Sequence, residues 1–251
     1  MKITSLINNT ALMVTTILLA HQASAAIALD RTRIIFDGSD KAQSLSISNQ
    51  NKELPYLAQG WIEDEAGIKI QSPLTVLPPV QRIEPDEKSQ IKIQALPATS
   101  LLAQDRETLY YFNLREIPPK SDKANVLQIA LQTRIKLFYR PAAIIPTRTE
   151  LDSPWQNNLI MTRQGDSYQV SNPTPYFVTI VDAHMSSEKE SKGKPFTPIM
   201  IAPKTSYPLG VSAASLGSAP TLTYINDYGG RPSLTFSCSG VECKVTSVKA
   251  G

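Results

Sequence analysis

The chain has 251 residues, 41% hydrophobic and 19% charged, which is enough apolar material for packed cores and argues against a disordered chain. Its 25 Lys and Arg face 22 Asp and Glu, and the formal charge of +3 is too small and too dispersed for a dedicated nucleic-acid binder. Nineteen prolines against eleven glycines favour short strands and turns over long helices.

Residues 1–25 read as a cleavable export signal. Lys2 supplies a positive start, residues 11–20 form an apolar run, and Ala23-Ser24-Ala25 fits the small-x-small cleavage pattern, so the mature chain is expected to begin at Ala26. A membrane anchor is the alternative, but the apolar run falls short of the ~20 residues a spanning helix needs. No other segment is long and apolar enough to span, so a soluble, exported protein with no membrane insertion is expected. Cleavage removes Lys2 and His21, leaving 24 basic against 22 acidic residues and His184 as the one histidine.

From Leu29 onward, short alternating runs are separated by turn residues. Residues 44–48 (SLSIS) and 90–94 (QIKIQ) alternate polar and apolar, and 108–116 (TLYYFNLRE) is an aromatic-rich strand. Between them lie DGSD at 37–40, NQN at 49–51, and the Pro-Pro pairs at 78–79 and 118–119, all turn chemistry. Turn signals recur about every 10 residues, the spacing of an all-β sandwich. At most one short helical turn is expected, within 100–107. No strand–helix alternation is present, which excludes a Rossmann-type fold. Residues 142–150 lack periodicity, have Pro141 and Pro146 nearby, and read as a stiff linker. A second strand series follows at 168–170, 176–181, 222–225 and 234–238. This organisation places one sandwich at 26–143 and a second at 148–251; one large β domain is the alternative.

Cys238 and Cys243 are the only cysteines. In an oxidising compartment such a pair forms one disulfide most simply, worth about 2 kcal/mol for so short a loop in the chain-entropy view; two free thiols are the alternative. Two thiols without a nearby His do not make a metal site.

The most informative segment is 126–139, VLQIALQTRIKLFY. Leu127, Ile129, Leu131, Ile135 and Leu137 fall on one face, and Gln128, Ala130, Gln132, Arg134 and Lys136 on the other. As one strand it spans roughly 46 Å at about 3.3 Å per residue, against the ~17–20 Å of typical strands. A small sandwich does not easily cover both ends, so part of the aliphatic face should project beyond its own core and call for a partner. A bent strand, or two strands joined without a visible turn, is the alternative. Spacing does not show whether Arg33, near the start of the mature chain, and Lys136 meet.

Catalytic signals are absent: there is no GxSxG, HExxH, P-loop or GxGxxG in a strand–helix context, and the scattered carboxylates form no assignable acid–base pair.

Taken together, nine segments resemble the PapD-like periplasmic chaperones of the chaperone–usher pathway. They are LDRTR (29–33), PYLAQ-x-W (55–61), PPVQR (78–82), QDRE (104–107), YYFNLREIPP (110–119), NVLQIALQ (125–132), IKLFYRP (135–141), NPTPY (172–176) and YINDYGGRP (224–232). The resemblance covers nearly the whole mature chain in one order. It implies two immunoglobulin-like sandwiches set at an angle around a cleft, no enzymatic activity, no cofactor and a periplasmic location. The implied partners are pilus subunits, held in 1:1 complexes, and the outer-membrane usher. Each subunit lacks its last strand, and the chaperone lends one.

By this resemblance Leu127, Ile129 and Leu131 enter the subunit groove, and Arg33 and Lys136 anchor the subunit's C-terminal carboxylate. Glu107, Arg140 and Asp227 form salt bridges between the domains, Cys238 and Cys243 match a disulfide of some members, and usher contact falls near Pro55, Leu57 and Gln59. The short 117–125 stretch looks like the short-loop subfamily, which assembles rod-like pili. Leu77 stands where Thr is common, and Gly60 where a larger residue is frequent. A pilus structural or adhesive subunit with an immunoglobulin-like fold is the second reading, but the mature N-terminus runs almost directly into LDRTR, without the alternating extension such a subunit carries. The apolar edge also permits self-association of the unliganded chain.

Overall fold

The computed structural model describes residues 25–123, 125–151, 153–186 and 196–251. The predicted export signal, apart from its last residue Ala25, lies outside them. The described part is two β sandwiches joined by a short connection, as the turn spacing implied.

The first sandwich contains ten strands: β1 (Ile27–Leu29), β2 (Arg33–Asp37), β3 (Ala42–Asn49), β4 (Tyr56–Glu63), β5 (Lys69–Ile70), β6 (Leu74–Leu77), β7 (Val80–Ile83), β8 (Lys88–Ala95), β9 (Thr108–Ile117) and β10 (Gln132–Arg140). One sheet runs β1-β3-β8-β6 and the other β2-β10-β9-β4-β5, with β7 also on β4. Period-two alternation builds the core between them: Leu45 and Ile47 of β3 and Ile91 and Ile93 of β8 point inward, against Ile34, Phe36, Phe112 and Leu137 from the facing sheet.

Gly60 lies where two sheets crowd together. A Cβ there would stand 2.9 Å from Val76 Cγ1, so at this position of the core only a bare backbone fits without displacing Val76.

The second sandwich contains β11 (Ile160–Gln164), β12 (Ser167–Asn172), β13 (Val178–Met185), β14 (Ile199–Ile201), β15 (Thr205–Ser212), β16 (Pro220–Ile225), β17 (Ser233–Ser239) and β18 (Glu242–Lys249). Its strands hydrogen-bond in a single path, β14-β13-β16-β17-β18-β11-β12-β15. Tyr224, Phe236, Leu222 and Ile180 fill its core. Cys238 and Cys243 face each other across the β17–β18 hairpin and are disulfide-bonded.

Four local expectations need correction. The helical turn anticipated within 100–107 lies at Pro97–Leu101, where Pro97 pre-sets the φ of a first turn. The connection between sandwiches is not featureless; it contains a 3₁₀ turn at Ala142–Ile144 and a short helix at Arg148–Leu151. The strand expected at 176–181 begins two residues later, at Val178, because the backbone N–H of Phe177 is taken by Glu107 of the first sandwich.

The largest correction concerns the 14-residue strand at 126–139. Only Gln132–Arg140 forms a strand, and residues 126–131 lie outside any ladder. The physical reason is pairing: Glu116 N–H still reaches the carbonyl of Leu131 at 3.0 Å, but no neighbouring strand accompanies the chain further upstream. A strand without a ladder leaves its backbone groups to water.

Candidate functional site

The two sandwiches meet where β2 and β10 face the start of β13 and the end of β16. β2 pairs with β10 in parallel, in the register Lys136↔Arg33 through Arg140↔Asp37. Alternation sends Ile34, Phe36 and Leu137 into the first core and turns Arg33, Lys136, Phe138 and Arg140 towards the second domain. The two cations that sequence spacing left unrelated are therefore direct cross-strand neighbours. On the opposite wall, Thr179 and Ile225 are also register partners, on β13 and β16. Lys136 Nζ donates to Thr179 Oγ1 at 3.1 Å, and Arg33 Nη1 donates to the carbonyl of Ile225 at 3.1 Å.

Both cations are more than half-buried and electrostatically uncomfortable. Burial, with the Arg33 charge beside it, lowers the Lys136 ammonium to about 8. Burial also lowers Arg33, and Asp227 and Glu107 counter this only from a distance. Among the described residues neither cation has a carboxylate within ion-pair range. The Arg33 Nε–H is buried and has no acceptor. Two adjacent, half-buried cations with donors left over place uncompensated positive charge in the cleft.

Behind this pair, Arg140 holds the domains together. It contacts Glu107 at 2.7 Å and Asp227 at 2.9 Å, and its guanidinium lies 4.7 Å from the ring of Tyr176 and 5.1 Å from that of Trp155. Glu107 Oε2 accepts from Phe177 N–H at 2.7 Å, and Glu107 N–H donates to the carbonyl of Pro175 at 2.9 Å. Burial pushes the Glu107 carboxyl upward, against the pull of Arg140 and Phe177. Gly229 closes the opposite rim with φ +85°, and a Cβ there would meet Thr32 Oγ1 at 2.7 Å. Thus the DYGG turn of the second domain lies directly on the DRTR segment of the first.

Beyond the cations, β10 has an open flank. β2 accompanies it only from Lys136 onward, so Gln132, Thr133, Arg134 and Ile135 have β9 on one side and, among the described residues, no strand on the other. Upstream, Leu127, Ile129 and Leu131 are 85%, 65% and 38% exposed. They share the parity of Leu137, which is fully buried. Gln128 Nε2 donates to the carbonyl of Pro119 at 2.6 Å and draws the segment back over the preceding loop.

Pro55, Leu57 and Gln59 lie at and just before β4. Leu57 is opposite Arg82 and Gln59 opposite Val80 on β7, and Leu57, Leu54, Leu77 and Val80 are each exposed. Several cleft residues escaped sequence reasoning. Phe138, whose ring lies 5.5 Å from that of Phe177, was legible from its parity with Lys136 and Arg140. Thr179 and the carbonyls of Ile225 and Pro175 carried no signal, since their role comes only from what the other domain places beside them. The same holds for Lys204, which bridges to Asp105 at 2.6 Å. No helix among the described residues is long and apolar enough to cross a membrane.

Comparison with known proteins agrees with this geometry. Residues 26–145 match the family of pili and flagellar-assembly chaperones, PapD N-terminal domain, and 154–236 match the pili assembly chaperone PapD, C-terminal domain. The chain is 52% identical over 228 residues to the chaperone protein PapD of Escherichia coli, covering 90% of this chain and 92% of that one. It is also 52% identical over 226 residues to the probable fimbrial chaperone YfcS of E. coli strain K12, covering 89% and 87%. Among solved structures, that of the periplasmic chaperone SfaE superposes with a TM-score of 0.64 at 27% identity, over 90% of this chain and 98% of that one. These relatives support a chaperone and not the pilus-subunit alternative. Two sandwiches of this topology, a shared cleft and these matches show that the chain belongs to the PapD family of pilus-assembly chaperones.

Proposed function

We propose that this chaperone captures an exported pilus subunit in the periplasm by lending it residues 126–131 as a strand, with Arg33 and Lys136 gripping the subunit's C-terminal carboxylate. The observation that carries this reading is the pair of adjacent, half-buried cations with no carboxylate partner among the described residues, located where the open flank of β10 begins.

The topology also supports a direction. β2 runs parallel to β10 and stops at Arg33. A guest strand occupying the vacant flank continues the line of β2 upstream, and its C-terminus must lie at Arg33 and Lys136. Such a strand runs from the exposed end of the donor segment towards the cations, hence parallel to β10. Its backbone pairs with residues 126–135 irrespective of sequence, while Leu127, Ile129 and Leu131 fill alternate pockets of the guest and set register. Each aliphatic side chain so buried contributes about 1.5–3 kcal/mol.

Glu107, Arg140 and Asp227 have an orienting role in this reading, holding the Thr179–Ile225 wall at the right distance from the cations. The working units are 26–143 and 148–251, after removal of residues 1–25. The outer-membrane usher is received at Pro55, Leu57 and Gln59. Without a guest, the same apolar edge is open to a second copy of the chain.

The test is capture of a pilus subunit from the same gene neighbourhood by co-purification. Arg33→Ala and Lys136→Ala should each abolish the 1:1 complex while the purified chaperone keeps its circular dichroism spectrum. Wild-type yields of complex with both variants would remove the anchor role.

A further inference from the structure

Glu116 is a buried carboxylate that the capture reading does not use. It lies on the inward face of β9 and is only 6% exposed. Oε2 accepts a hydrogen bond from Ile27 N–H at 3.0 Å. Among the described residues its carboxylate has no other hydrogen-bond partner, and no Lys, Arg or His pairs with it. A carboxylate removed from water and met by one neutral donor is poorly compensated. The chain just ahead of Ile27 is equally well buried: Ala26 is 8% exposed, and its carbonyl accepts from Gln50 N–H at 2.6 Å.

We infer that the missing positive charge is the α-ammonium group of Ala26, created when the export signal is removed. This rests on the reading of residues 1–25 as a signal cleaved after Ala25. Hydrolysis of the Ala25–Ala26 amide consumes one water and leaves a carboxylate on Ala25 and an ammonium on Ala26. That nitrogen is three bonds from the nitrogen of Ile27, hence within about 4 Å of a donor already touching Glu116. Before cleavage the same atom is a neutral amide nitrogen and offers Glu116 no charge. The ion pair therefore exists only in the processed chain.

The pair bears on the guest-binding edge. The backbone N–H of Glu116 holds the carbonyl of Leu131 at 3.0 Å, at the root of the exposed segment. The processed N-terminus, the β1 strand, Glu116 and the root of the donor segment thus form one connected unit, completed only by export and cleavage.

Two measurements test this without any pilus subunit, so their outcome is independent of the capture reading. Intact mass of the exported protein first establishes its start. Chains beginning at Ala26, or with Gly-Ser added ahead of it, are then compared with Glu116 intact and as Glu116→Gln. The extension should lower Tm by about 3 °C with Glu116 and by less than about 1 °C with Gln. Equal losses in both backgrounds, no loss in either, or a natural start elsewhere overturns the inference. The second measurement needs no substitution and covers the case where Glu116→Gln fails to fold. Cyanate should carbamoylate the α-amine of the native protein about tenfold more slowly than that of the denatured chain, the effect of one unit of pKa; equal rates overturn the pairing.

Discussion

Leu137 and Ile129 share one parity of one run of sequence, yet Leu137 is fully buried and Ile129 is 65% exposed. Around Leu137 the chain has β2 on one side, β9 on the other, and the side chains of β3 and β8 across the core. Around Ile129 it has none of these. The alternation is continuous through both, so the pattern specifies which side chains share a face and says nothing of what will cover that face. In the downstream half the chaperone's own fold supplies the cover. In the upstream half no described residue covers it, and in the proposed reading the cover is a pilus subunit whose C-terminus meets the cations at the junction.

The largest effect that sharpens this contrast is in the covered half. Leu137→Ala should cost about 2–5 kcal/mol of unfolding free energy, read from the denaturant midpoint, because it opens a cavity between two packed sheets. A loss below about 1 kcal/mol would mean that the two halves are less different than their exposure suggests.

The matching change in the uncovered half is Ile129→Asp. It should leave stability within about 0.5 kcal/mol, as for other exposed sites, while capture of a pilus subunit falls below detection in co-purification. A marked drop in Tm would place Ile129 in the chaperone's own core.

The smallest effect is a pH dependence at the junction. Lys136 sits at about 8 in the folded protein, depressed from 10.5 first by burial and then by Arg33. Between those two values the unfolded chain binds more protons, so the contribution of Lys136 to stability should rise with pH across that window. Affinity for a carboxylate should move the other way, weakening as pH climbs through 8 and the ammonium discharges. Titration of capture from pH 7 to 9 checks this. Lys136→Arg should flatten the curve, since guanidinium stays charged throughout; an unchanged slope would assign the titration to another group.

Much of the fold was legible because burial here follows short-range alternation. The alternation of SLSIS and QIKIQ put Leu45 with Ile47 and Ile91 with Ile93 on one face, and the structure buries all four; TLYYFNLRE is β9 almost to the residue. The cysteine pair was legible as a disulfide because an exported chain with two cysteines meets oxidising conditions, and the structure places the pair across the β17–β18 hairpin. The error at 126–139 arose because periodicity was taken as sufficient for a strand, whereas a ladder also needs a neighbour. Within the cleft, the families of charged residues were recognisable by resemblance, but Thr179, Phe177 and the carbonyl of Ile225 were not. They act through position alone, and their residue types are common on any strand.

By itself the sequence determined the alternation along the strands it revealed, the pairing of its two cysteines and the surplus of aliphatic side chains ahead of β10, since the alternation depends on neighbours two residues away and the cysteine pairing on composition and compartment. Only the tertiary structure decided that Arg33 and Lys136 stand side by side, that Thr179 and Ile225 face them, and that the flank of β10 is vacant. Those facts depend on the parallel pairing of segments about a hundred residues apart and on the docking of one sandwich against the other, and no local pattern encodes either.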